Sequence, residues 1–146
     1  MSGFSPEIRR EKKAEQKGRC ALIGLEIDFL EGHHAIPKMR GGSNNKHNCI
    51  EVSGEKSYCA YGVPVPDIHE VLDRLAIDFG LYLHPDKLIL VTSDLMPSDC
   101  FISPQIRSQL VDFDHQQRNY QKNPEQIFAY RSVIPQLIPI HQELIF

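Results

Sequence analysis

Two adjacent histidines, His33 and His34, precede a loop that carries Lys38, Arg40 and Lys46 and ends at Asn48. An imidazole is neutral near pH 7, so it can accept a proton or bind a metal ion. Bases beside it favour an anion. These groups must be held by regular structure on either side. Leu25, Ile27 and Phe29 alternate with Glu26 and Asp28, the period of a half-buried strand, and Ile50 and Val52 alternate with Cys49 and Glu51 in the same way. Between them Pro37, Gly41, Gly42, Ser43, Asn44 and Asn45 are loop formers. The stretch therefore reads as strand, long loop, strand, with the histidines closing the first strand and Asn48 opening the second. Adjacent residues of a strand face opposite ways, so one histidine is expected inward and the other outward.

Ser5, Pro6 and Glu7 predict a helix start: a hydroxyl cap, a proline at the first position and an acid in the first turn. That helix should run to about Gln16, stop at Gly18 and lie on the surface, because Ile8 and Ala14 are its only clear apolar positions. A second helix is expected from Asp67 to Phe79, where Ile68, Val71, Leu72, Leu75, Ala76 and Phe79 form one apolar face ahead of Gly80. Leu81–Leu83 and Leu88–Val91 read as short strands around a His84–Lys87 turn, the second buried on both faces. Ser103–Pro104 starts a helix striped by Ile106, Leu110, Phe113 and Tyr120, and another begins near Pro124 and is interrupted or ended by Pro135 and Pro139.

The 146 residues suit about one domain with a core of its own. Charge is uneven. Residues 1–48 hold nine Lys/Arg against six Asp/Glu, and residues 49–146 hold seven against thirteen, so a polyanion should meet the first third of the chain. Within the N-terminal helix Glu7, Glu11 and Glu15 interleave with the bases, which also suits a solvated charged face. No apolar run approaches the length of about 18 residues needed to cross a bilayer, and no secretory leader is evident. A soluble cytoplasmic protein without membrane partners is the expectation. Cys20, Cys49, Cys59 and Cys100 include no CxxC pair, so reduced thiols and no structural zinc are expected.

The central string resembles the HNH nucleases of the ββα-metal, or His-Me finger, superfamily. The shared features are the His33-His34 dipeptide, Pro37 three residues after it, the Gly41-Gly42 pair, and Asn48, 14 residues beyond His34. The segment Gln16 to Gly24 also looks like the lead into the first strand, so the resemblance covers roughly residues 16 to 61. It implies an α+β fold: a ββα-metal core with the N-terminal helix over residues 1–80, and residues 81–146 packed on it as part of the same domain. It implies a metal-dependent endonuclease acting on DNA, with His33 binding a single divalent cation, His34 as general base, and Asn48 holding the loop and helping to orient that base. Lys38, Arg40, Lys46 and Arg19 would contact phosphates. Mg²⁺ is the first expectation for the ion, with Mn²⁺, Ni²⁺ or Zn²⁺ as alternatives.

The sequence departs from the family where a third histidine is usual, about nine to thirteen residues after the Asn; those places hold Ser57, Tyr58 and Tyr61. If residues 53–66 are an insertion, the Asp67–Phe79 helix supplies the α element and His69 becomes the next metal ligand. Asp67 and Asp73 are read as solvated helix acids, His47 as a loop residue, and His84, His115 and His141 carry no assigned role. The alternative is a catalytically inactive HNH-fold module that binds nucleic acid or protein. A homodimer, or a toxin-type nuclease held by an inhibitory protein partner, is also compatible with the acidic remainder of the chain.

Overall fold

A computed structural model describes residues 3–59, 62–118, 122 and 124–128. The fold is a small mixed α+β arrangement in which, among the described residues, four helices pack around two two-stranded antiparallel sheets. Helix α1 (Pro6–Glu15) begins as its sequence predicts: Ser5 Oγ accepts from the Ile8 amide at 3.2 Å, and Pro6 occupies the first turn. It buries none of its residues. It is nevertheless clipped to the sheet, through Arg9 and Gln16.

Strands β1 (Leu30–His34) and β2 (Cys49–Ser53) pair antiparallel, with His33 opposite Ile50 and His34 opposite Cys49. The first strand starts later than the alternation in residues 25–29 predicts. Gly24, at φ 77°, turns the chain, after which Glu26 and Ile27 each make one isolated bridge, to Arg19 and Cys59. Ile27 is buried, but Leu25 and Phe29 are about half exposed. The alternation therefore marks a segment that pairs one residue at a time.

All five residues of β2 are buried, including Glu51. Its carboxylate accepts from Arg9 Nη2 at 2.9 Å and Nε at 3.2 Å, and Arg9 also donates to the Leu30 carbonyl at 2.6 Å. The Gln16 amide donates to the Glu51 carbonyl at 2.8 Å and accepts from the Glu51 amide at 3.0 Å, acting as one residue of an extra strand. A buried acid is tolerated here because it is paired and hydrogen-bonded.

The loop between the strands is closed from inside by Asn48. Its side chain accepts from the Ile36 amide at 2.8 Å and donates to the carbonyls of Ile36 at 3.0 Å and Ser43 at 2.9 Å. A Cβ at Gly41 would lie 1.9 Å from the Ile106 side chain, and one at Gly42 1.7 Å from the Ile36 carbonyl oxygen. The glycine pair is what lets the loop fold this tightly.

Helix α2 (Ile68–Phe79) follows its predicted pattern closely. Asp67 caps it, accepting from the Glu70 amide at 3.0 Å, and Gly80 closes it in the left-handed region at φ 66°. The six apolar residues of its predicted face are its buried residues. At about 1.5–3 kcal/mol for each large side chain, this face is the main anchor of the helix on β2 and β3.

Strands β3 (Tyr82–Leu83) and β4 (Leu90–Val91) flank a turn in which His84 Nδ1 accepts from the amides of Asp86 and Lys87. Leu90 and Val91 are buried, whereas Leu88 and Ile89 are only partly covered, so burial on both faces holds for half of that run. Helix α3 (Pro104–Gln117) is capped by Ser103 and buries only Leu110; Phe113, expected on its apolar stripe, is about half exposed. A last short helix, α4 (Pro124–Phe128), buries Ile127. Tyr120, Pro135 and Pro139 lie outside the described residues. One core joins residues from Cys20 to Ile127.

Candidate metal centre

The β1–β2 ladder turns His33 into the molecule toward α2, leaving it 1% exposed. On α2, His69 and Asp73 are four residues apart and therefore on the same face, one turn above another. The three side chains meet. His33 Nδ1 is 3.4 Å from one Asp73 carboxylate oxygen, and His69 Nε2 is 3.4 Å from the other. The imidazoles stand edge to face with centroids 5.4 Å apart. One ligand atom from each of the three residues lies within 4.8 Å of the others, so the group could hold a metal ion.

Two features distinguish this cluster from a stray surface acid. Nδ1 of His33, the nitrogen that faces Asp73, is buried without a hydrogen-bond partner, as is Nδ1 of His69, on the other side of its ring from the nitrogen that faces Asp73. Leaving such an atom unsatisfied costs about 1–3 kcal/mol. Moreover, two ligands about 2.1 Å from one tetrahedral ion stand about 3.4 Å apart, which is the separation between Asp73 and each imidazole. Burial holds His33 below the usual imidazole range and so keeps it neutral. For Asp73, half-burial works to raise the carboxyl, but contact with His33 and the nearby imidazoles outweigh it and hold it lower. Neutral nitrogens and an ionised carboxylate are the states that bind a cation.

His34, the next residue, takes the other role a pair of histidines allows. Its ring stacks on Phe4 with centroids 3.9 Å apart and planes 18° from parallel. Its Nε2 lies 2.8 Å from Asn44 Oδ1. An amide oxygen only accepts, so that contact places the proton on Nε2 and the lone pair on Nδ1. Partial burial lowers its basicity, the Asn44 contact opposes this, and the charge on Lys38 lowers it further. A partly exposed, neutral imidazole with a fixed tautomer can take a proton from water.

The structure brings together His33 and His69, as the sequence predicts, and adds Asp73. Asp73, expected as a solvated helix acid, is still 44% exposed, but it is more than that: its two carboxylate oxygens each stand 3.4 Å from an imidazole nitrogen. The signal was present in the His69–Asp73 spacing. Asn48 holds the loop, but the side chain touching His34 is Asn44, which nothing in the sequence singled out. Among the basic candidates, Arg40 turns to the C-terminal end of α2, donating to the carbonyls of Ala76 and Ile77 and to Tyr82 and Asp114. Lys46 pairs with Glu15 and Glu11, and Arg19 donates to the Gly24 carbonyl at 2.9 Å. Lys38 is the one whose charge reaches His34.

At the family's usual third-ligand places, the Ser57 hydroxyl donates to the Phe29 carbonyl and accepts from the Gly54 amide. The Tyr58 amide donates to Asp28, and Tyr61 lies outside the described residues. Asp67 serves as a helix cap, His47 lies in the loop, and His115 contacts Arg118; His141 is outside the described residues. The four cysteines are free thiols, and burial pushes Cys49 and Cys100 up to about 12. No helix among the described residues is long and apolar enough to cross a membrane. No family model, curated protein or solved structure matches the chain.

Proposed function

We propose that this protein is a metal-dependent endonuclease of the HNH type, hydrolysing phosphodiester bonds in DNA on a ββα-metal core formed by β1, β2 and α2. The observation that carries the reading is the buried, unpartnered Nδ1 of His33, set against His69 and Asp73 one residue away from a neutral, oriented His34.

His33, His69 and Asp73 would hold the cation. When bound, it supplies positive charge to stabilise the charge that develops on the scissile phosphate and its leaving oxygen. Two nitrogens and one carboxylate suit Mn²⁺, Ni²⁺ or Zn²⁺ better than Mg²⁺, which favours oxygen ligands. His34 acts on water. Its Nδ1 lone pair takes a proton as the water oxygen bonds to phosphorus, while Asn44 stabilises the Nε2–H side of the resulting imidazolium. The P–O bond to the leaving oxygen breaks, and that oxygen is protonated from solvent. Asn48 and the glycine pair fix the loop that carries Asn44 and Lys38. His69 and Asp73 supply the ligands absent at Ser57, which supports an enzyme over an inactive binding module.

The test is plasmid nicking in EDTA and with added Mg²⁺, Mn²⁺, Ni²⁺ or Zn²⁺, with His34→Ala alongside. The expected result is metal-dependent cutting that falls by about 10²–10⁴-fold in the variant, the range for a general base. A folded protein that cuts with none of these ions overturns the reading.

A further inference from the structure

Three of the four basic residues first expected to meet phosphates are engaged within the protein: Arg40 at the end of α2, Lys46 with α1 acids, and Arg19 with a carbonyl. A second set is better placed. A groove of about 290 Å³ is lined by Phe4, Pro6, Arg9, Arg10 and Lys13, on the N-terminal part of α1. Phe4 is common to this groove and to the His34 site, because the same ring stacks on the imidazole. The floor is built: Arg9 is locked to the Leu30 carbonyl and to Glu51, whose ladder partner, Gly32, immediately precedes His33. Lys13 lies 4.0 Å from the same buried carboxylate. Arg10 is exposed and forms no ion pair among the described residues. Two of the three cations, Arg9 and Lys13, thus share one buried carboxylate, Arg10 is free of it, and the groove retains positive charge beside His34.

We propose that this groove is a phosphodiester-binding subsite that seats the nucleic-acid backbone next to the His34 imidazole, with Arg10 and Lys13 contacting phosphate oxygens and Phe4 forming the wall between groove and base. The subsite rests on the nuclease reading and extends it to a strip of chain that precedes the family-like segment. Glu7 and Glu11 lie on the same helix, and Lys46 occupies Glu11 and Glu15 on the side facing the loop.

The test is equilibrium binding of a DNA duplex to the full chain in EDTA, so that cutting does not intervene, measured from 50 to 200 mM salt. The variant is Arg10→Gln/Lys13→Gln, which leaves Arg9 on Glu51; Lys87→Gln/Lys122→Gln removes equal charge elsewhere. Each lost phosphate contact lowers the slope of log K against log salt by about 0.9. The groove variant should therefore lose about 1.8 in slope and about tenfold or more in affinity, with the control unchanged. Wild-type binding with the same slope in the groove variant overturns the subsite while leaving the nuclease reading intact. Equal losses in both variants also overturn it, in favour of a diffuse charge effect. A wild-type protein that binds no DNA removes both.

Discussion

Two polar clusters lie against α2, at its two ends, and they are built on opposite principles. At the C-terminal end, Arg40 donates to two helix carbonyls and to Tyr82 and Asp114, and the Tyr82 hydroxyl donates to Asp114 at 2.6 Å. The group ties the loop, α2, β3 and α3 together with its polar atoms partnered. At the N-terminal end, His33, His69 and Asp73 converge, and His33 Nδ1 faces the Asp73 carboxylate at 3.4 Å without making a hydrogen bond. A satisfied network explains itself as structure, whereas an unsatisfied one costs stability until something completes it. That difference is why the histidine cluster, and not the arginine cluster, reads as a binding site.

The comparison can be broken by substitution. Asp114→Ala should be the most damaging change, because it takes from the Arg40 guanidinium, which is 16% exposed, its only carboxylate among the described residues, and from the Tyr82 hydroxyl its acceptor. Removing one partner of such a pair costs about 3–5 kcal/mol, and urea denaturation should show this equally with and without metal. Asn48→Ala should follow at about 3 kcal/mol, since it orphans the Ile36 amide and carbonyl and the Ser43 carbonyl at about 1 kcal/mol or more each. It should also release the loop and so reduce nicking. His33→Leu should behave in the opposite way: in EDTA its stability should stay within about 1 kcal/mol of wild type, because an orphaned nitrogen is replaced by an apolar side chain. A large loss in EDTA would mean that His33 is an ordinary core residue.

The smallest expected effect is on pH dependence. Burial lowers His33, His34 and His84 below the ordinary imidazole value. The unfolded chain therefore binds protons first as pH falls. Their contribution to stability is complete above about pH 6.5 and is lost below it, toward the depressed native values. Denaturation midpoints in EDTA should fall between pH 7.5 and pH 5, and His84→Gln should make that fall shallower. A midpoint that rises toward pH 5 would contradict the burial of these groups.

Helix α2 was legible in the sequence because cap, apolar face and terminal glycine agreed on one element. Residues 25–29 were misread because alternation reports which side chains might be covered, and here Gly24 sends successive residues to different partners. At the site, the histidine pair, the glycines and Asn48 could be read because their chemistry and spacing are local. Asp73 was missed because an acid four residues from a histidine on a helix looks like a surface pair until the strand behind it is known to carry His33. Asn44 gave no signal, since its approach to His34 depends on a loop path fixed from inside by Asn48.

The most direct measurement is thermal denaturation in EDTA against excess Mn²⁺, Ni²⁺ or Zn²⁺, for wild type, His33→Leu and Asp73→Ala. Ligand at about 100 times its dissociation constant adds about 2.7 kcal/mol, or about 8 °C for a chain of this size. Such a shift is expected in the wild type and should vanish in both variants. No shift with any of the ions, or a shift that survives both substitutions, would contradict a metal centre at His33, His69 and Asp73.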